Sequence, residues 1–93
     1  MENHDLEFIY NQLKDKYDLV LTNTLALDER YTIDAPVLCG ESSLGQFELY
    51  HDGSLFVLDI DEVDGSYTHF HPIDVSAAIN SISAFMNGTA DWL

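Results

Sequence analysis

The stretch QFELYHDGSLFVLDIDEVDGSYTHFH, Gln46 to His71, decides the fold: three apolar and aromatic runs are punctuated by Asp52-Gly53 and Asp64-Gly65. Asp-Gly dipeptides favour hairpin turns, because glycine adopts positive φ without steric cost. The segment therefore reads as three consecutive antiparallel strands. If the first hairpin turns on Asp52-Gly53 alone, Phe47 pairs with Leu58 and Leu49 with Phe56, giving one apolar face that Ile60 extends. Leu55 and Val57 then fall on the opposite face with Glu48, Tyr50 and Asp59.

The second hairpin has two readings. A three-residue loop, Val63-Asp64-Gly65 with Gly65 left-handed, sets Asp59 opposite His69 and puts Phe70 on the core face. A two-residue loop, Asp64-Gly65, sends His69 and His71 to the core face with Phe56, Leu58 and Ile60. The first is preferred, because it buries Phe70 rather than two imidazoles.

Helical periodicity flanks these strands. Upstream, Leu6, Ile9, Leu13 and Tyr17 recur at helical spacing beside Tyr10, with Glu7, Asn11, Lys14 and Asp15 on the other face, predicting a helix within residues 1–17. Residues 18–27 read as a short strand. Asp28 to Gly45 reads mostly as loop, with a strand at Val37 to Cys39, because Pro36, Gly40, Ser42, Ser43 and Gly45 interrupt it. Downstream, Val75, Ala78, Ile79, Ile82, Phe85 and Met86 share one side of a second helix over residues 72–88. Pro72 suits the first turn of that helix, Asp74 complements its positive end, and Gly88 suits the left-handed residue that closes it. The expectation is a single α+β domain over residues 1–93: an N-terminal helix, a three- to five-stranded antiparallel meander over 18–71, a C-terminal helix packed on one sheet face, and a tail at 89–93.

With 46% hydrophobic residues in 93, the chain carries more apolar surface than a disordered acidic segment of similar charge. Its charge is lopsided: 3 Lys and Arg against 17 Asp and Glu give a net −14. Lys14, Lys16 and Arg30 are all of the cations, so residues 31–93 hold ten carboxylates and no Lys or Arg. Nucleic-acid backbones and anionic lipid surfaces both require Lys and Arg, so neither is an expected partner. A basic protein or a cation is. The start Met1-Glu2-Asn3-His4-Asp5 has neither the basic residues nor the apolar run of a signal peptide, and no apolar stretch approaches the roughly 20 residues that cross a bilayer. Cys39, the single cysteine, forms no internal disulfide and reads as a small buried hydrophobe. A cytoplasmic location is expected.

Motifs for chemistry are few. Asp59-Ile60-Asp61-Glu62-Val63-Asp64-Gly65 invites comparison with a calcium-binding EF-hand loop, but Val63, Asp64 and Phe70 occupy positions that need an oxygen ligand, glycine and glutamate. No phosphate-binding glycine loop, nucleophile elbow or zinc-protease helix is present, so the chain does not read as an enzyme. His69 and His71, two apart on a strand, project to one side and form a candidate divalent-metal site with Asp59, with His51 as a further candidate ligand. Asp59, Asp61, Tyr50 and Tyr67 are the candidate partner-binding residues, because aromatics ringed by charge suit interfaces.

The stretch Gly45 to Tyr50, the Asp-Gly turn, Thr68-His69-Phe70-His71-Pro72 and the following Ala-Ile helix resemble a group of small uncharacterised bacterial proteins over residues 45–88. In size and charge the chain is also similar to immunity proteins and other small inhibitors. That similarity implies an acidic module docking a basic partner. The alternatives are a metal-binding protein or metal-dependent enzyme built on His69 and His71, and a structural protein acting as a monomer or small homo-oligomer.

Overall fold

The computed structural model describes residues 4–22, 36–51 and 54–89. Helix α1 (His4–Leu13) leads into five strands, β1 (Leu19–Thr22), β2 (Val37–Ser42), β3 (Gly45–His51), β4 (Phe56–Glu62) and β5 (Tyr67–Phe70), and helix α2 (Val75–Asn87) follows. The strands form one sheet in the order β1-β2-β3-β4-β5, each antiparallel to its neighbour. The architecture is the α+β arrangement that the periodicities predict.

One face of the sheet builds the core. Leu19, Leu38, Phe47, Leu49, Phe56, Leu58 and Ile60 project from alternate positions and meet Leu6, Ile9 and Leu13 of α1 and Ala78, Ile82 and Phe85 of α2. The Phe47 and Phe85 rings meet edge to face, with centroids 6.2 Å apart. Gly40 lies in β2 between Leu19 and Phe47; a Cβ there would stand 2.3 Å from Phe47 Cε2 and 2.7 Å from Leu19 Cδ2. Its missing side chain is what lets the Phe47 ring lie across β2.

Helix α2 carries its own boundary signals. Asp74 is its N-cap and accepts a hydrogen bond from the Ala77 N–H at 2.8 Å, while Gly88, at φ 72°, closes the other end in the left-handed conformation. Pro72 and Ile73 precede this cap rather than forming a first turn, because the Asp74 side chain accepts from the otherwise free Ala77 N–H and so starts the helix after itself. Helix α1 ends at Leu13 instead of running to residue 17. A tight turn follows, in which the Tyr17 N–H donates to the Leu13 carbonyl at 3.0 Å and the Tyr17 hydroxyl donates to Asn87 Oδ1 at 2.9 Å.

The strands correct two further expectations. The stretch read mostly as loop up to Gly45 contains a six-residue strand, β2, that turns through Ser43 and Leu44 directly into β3. Strand β1 is described only from Leu19 to Thr22, and the rest of the expected strand and the loop from Asp28 to Ala35 lie outside the described residues. In the first hairpin Phe47 pairs with Ile60, Leu49 with Leu58 and His51 with Phe56, two residues away from the register built on Asp52-Gly53 alone. The connection therefore spans four residues, 52–55, and Leu55 is exposed in it rather than facing outward from a strand. The second hairpin has the three-residue loop: Asp59 pairs with His69, Leu58 with Phe70, and Gly65 has φ 94°.

Candidate functional site

The face of the sheet away from the helices carries the candidate residues, and the ladder arranges them in rows. One row runs Val20, Cys39, Glu48, Asp59, His69 across all five strands. The next runs Glu41, Gln46, Asp61, Tyr67 from β2 to β5. Glu48 and Asp59 stand directly opposite each other and are buried, only 2% and 8% exposed. Like charges in that position repel, and burial raises the cost, so each carboxylate needs donors.

Asp59 has two. Its Oδ1 accepts from the Tyr67 hydroxyl at 2.9 Å and is in direct hydrogen-bond contact with Nδ1 of His69. His71 is held independently, with Nδ1 3.0 Å from the carbonyl oxygen of Phe56. The two imidazoles stand perpendicular with centroids 5.1 Å apart. His51 lies on the core side, alternating with Tyr50, and its ring packs edge to face on Phe56, so it does not join the other two. Asp59, His69 and Tyr67 are thus brought together, with His71 beside them. Asp59 meets His69 through Nδ1 rather than standing beside it as a second metal ligand. Among the described residues, no group of three or more His, Cys, Asp and Glu side chains is placed to hold a metal ion.

Glu48 is met from the other side by the Cys39 thiol, whose Sγ lies 3.7 Å from Oε2. Burial, then the charge of Glu48 and this hydrogen bond, push the Cys39 thiol up to about 12. A thiol held protonated in this way is no nucleophile at neutral pH.

At the end of the sheet, beside the β2–β3 and β4–β5 turns, an open cleft of about 300 Å³ is lined by Glu41, Asp61 and Glu62, with Ser42, Gln46 and Val63 completing its walls. Gly45, at φ 149°, allows this geometry: a Cβ there would meet the Asp61 carbonyl oxygen at 2.3 Å. The Val63 N–H donates to the Leu44 carbonyl at 2.8 Å, tying the two turns together. Tyr67, 60% exposed, stands across the ladder from Asp61 but does not line the cleft, and its hydroxyl reaches Asp59 in the next row. Tyr50 is half-buried and four residues from Gln46 along β3, about 13 Å at the rise of an extended strand. It belongs to a different part of the face.

Of the expected partner-binding residues, Asp61 lines the cleft, Asp59 and Tyr67 meet each other one row in, and Tyr50 is remote. Glu41, Ser42 and Gln46 are new contributors. Only the β2–β3 pairing reveals them. The chain matches no family model, no curated protein and no solved structure, so its function is argued from its own residues. Among the described residues no helix is long and apolar enough to cross a membrane.

Proposed function

We propose that this protein is an acidic docking module of the immunity or inhibitor type, acting in the cytoplasm, which binds a basic protein through the cleft at the end of its sheet. The observation that carries the proposal is the convergence of three carboxylates, Glu41, Asp61 and Glu62, on one cleft. Across residues 31–93 there is no Lys or Arg to neutralise them. Carboxylates of this kind accept the forked N–H groups of a guanidinium. The surrounding negative field accelerates encounter with a positive partner. Ser42 and Gln46 add uncharged hydrogen-bonding groups that select orientation.

Titration of isotopically labelled protein with an arginine-rich peptide, followed through backbone amide shifts, tests the proposal. Shifts are expected to concentrate at residues 41–46, 61–63 and 67. Each exposed ion pair contributes about 0.2–1 kcal/mol, so Glu41→Gln, Asp61→Asn and Glu62→Gln each weaken binding by up to about fivefold. The triple variant multiplies those losses, whereas the equally charge-reducing Glu7→Gln/Asp15→Asn/Asp18→Asn on and just after α1 leaves affinity close to wild type. Equal losses from both sets, or shifts spread evenly over the molecule, would mean that bulk charge rather than the cleft does the binding.

A further inference from the structure

The two histidines of the β5 segment are prepared in the same unusual way. The Phe56 carbonyl oxygen can only accept a hydrogen bond, so His71 must carry its proton on Nδ1. The Asp59 carboxylate likewise accepts from Nδ1 of His69 while also accepting from the Tyr67 hydroxyl. In a neutral imidazole with Nδ1 protonated, the lone pair resides on Nε2. No hydrogen-bonding group among the described residues engages either Nε2. Two exposed imidazoles, one in β5 and one just past its end, therefore present Nε2 lone pairs in the same tautomer, with ring centroids 5.1 Å apart.

Metal-binding histidines are ordinarily oriented in this manner: the nitrogen away from the ion donates to a carboxylate or a backbone carbonyl, which fixes the tautomer and raises the basicity of the ligating nitrogen. Here one histidine has the carboxylate and the other has the carbonyl. We propose that His69 and His71 form a two-imidazole site for a divalent first-row transition-metal ion, bound through Nε2 of each ring with water in the remaining positions. Asp59 orients His69 from the outer sphere and does not ligate. Among these ions copper(II) binds tightest, following the general order for nitrogen ligands, and magnesium does not compete, because it prefers oxygen ligands and gives up water reluctantly. The two ligands lie outside the docking cleft, although Tyr67, which bonds Asp59, pairs with the cleft residue Asp61.

The test is titration of the untagged protein with copper(II) chloride by calorimetry, with zinc(II) chloride in a parallel NMR experiment and magnesium chloride as competitor. One copper ion per chain is expected, unaffected by magnesium. His69→Ala and His71→Ala each weaken binding by about tenfold or more, the double variant abolishes it, and Asp59→Asn weakens it by about 10–100-fold through loss of the oriented tautomer. Because substitutions near a buried carboxylate can perturb folding, the zinc experiment reads the wild-type chain directly: ring resonances of His69 and His71 shift while those of His4 and His51 stay in place. Copper uptake unchanged in the double variant overturns the proposal. So does displacement of copper by magnesium, or a zinc response confined to His4, His51 or carboxylate neighbours.

Discussion

Replacing Gly40 by alanine adds one methyl group, and the packing around it decides the outcome. In an ordinary strand the change stabilises, because glycine loses more conformational freedom on folding than alanine does, an effect of about 0.5–1 kcal/mol. Here the new Cβ would lie 2.3 Å from Phe47 Cε2 and 2.7 Å from Leu19 Cδ2, both well inside contact distance. The Phe47 ring cannot swing aside freely, since it is fully buried and set edge to face against Phe85. Overpacking of a tight core costs about 1–3 kcal/mol, at least as much as the strand benefit, so the expected net effect is destabilisation by up to about 2.5 kcal/mol. For a domain of this size that lowers the melting temperature by about 4–8 °C per kcal/mol. Urea unfolding followed by far-ultraviolet circular dichroism measures it, with a shifted midpoint and an unchanged slope. A second arm isolates the cause: in a Phe47→Leu background the ring-edge contacts are gone and only the one with Leu19 Cδ2 remains, so the same Gly40→Ala step costs clearly less. If Gly40→Ala stabilises the otherwise wild-type protein, or costs the same in both backgrounds, the steric account of β2 is wrong.

Two further outcomes follow from local geometry. Asp74→Ala removes the acceptor for the Ala77 N–H at the start of α2 and is expected to cost about 0.5–2 kcal/mol in the same unfolding assay, with Asp74→Asn recovering most of the loss. Cys39, raised from 9.0 to about 12 in the folded protein, reacts with iodoacetamide about ten- to a thousandfold more slowly when folded than when unfolded in urea, at about pH 8. The folded state holds that proton more tightly, so the associated stability is complete below pH 9.0 and is lost as pH rises towards 12, a decline that Cys39→Ala removes. Equal labelling rates in the two states would contradict the burial beside Glu48.

The segment from Gln46 to His71 discloses its faces but only part of its register. The period of a strand is two, so sliding the first hairpin by two residues leaves Phe47, Leu49, Leu58 and Ile60 on the same side, and the hydrophobic pattern cannot distinguish the two pairings. In the second hairpin the rival loops differ by one residue and would exchange Phe70 for His69 and His71 at the core, so burial selects between them. That choice also places Asp59 opposite His69, which is why half of the imidazole cluster is legible in the sequence. Strand β2 is not. Gly40, Ser42 and Ser43 carry loop propensity, and the reason for Gly40 is a phenylalanine ring on the neighbouring strand. With β2 hidden, the acidic cleft and the Cys39–Glu48 contact stay hidden as well, since both require β2 beside β3. Tyr67 reads as an exposed aromatic, and the hydrogen bond from its hydroxyl to Asp59 emerges only with the side chain in place.

The strand order carries a consequence for how the chain reaches this structure. Every strand pairs with its immediate successor, so the sheet can grow by adding one hairpin at a time, and three of the four closures span four residues or fewer. The exception is the meeting of the two helices, fastened by the bond from Tyr17 to Asn87 across nearly the whole sequence. Low contact order within the meander favours rapid formation, and the seating of α1 against α2 is left as the late, entropically costly event. Newly made chains emerging from the ribosome would therefore hold a formed but uncapped sheet until α2 is released, with Phe47, Leu49 and Leu58 awaiting the side chain of Phe85.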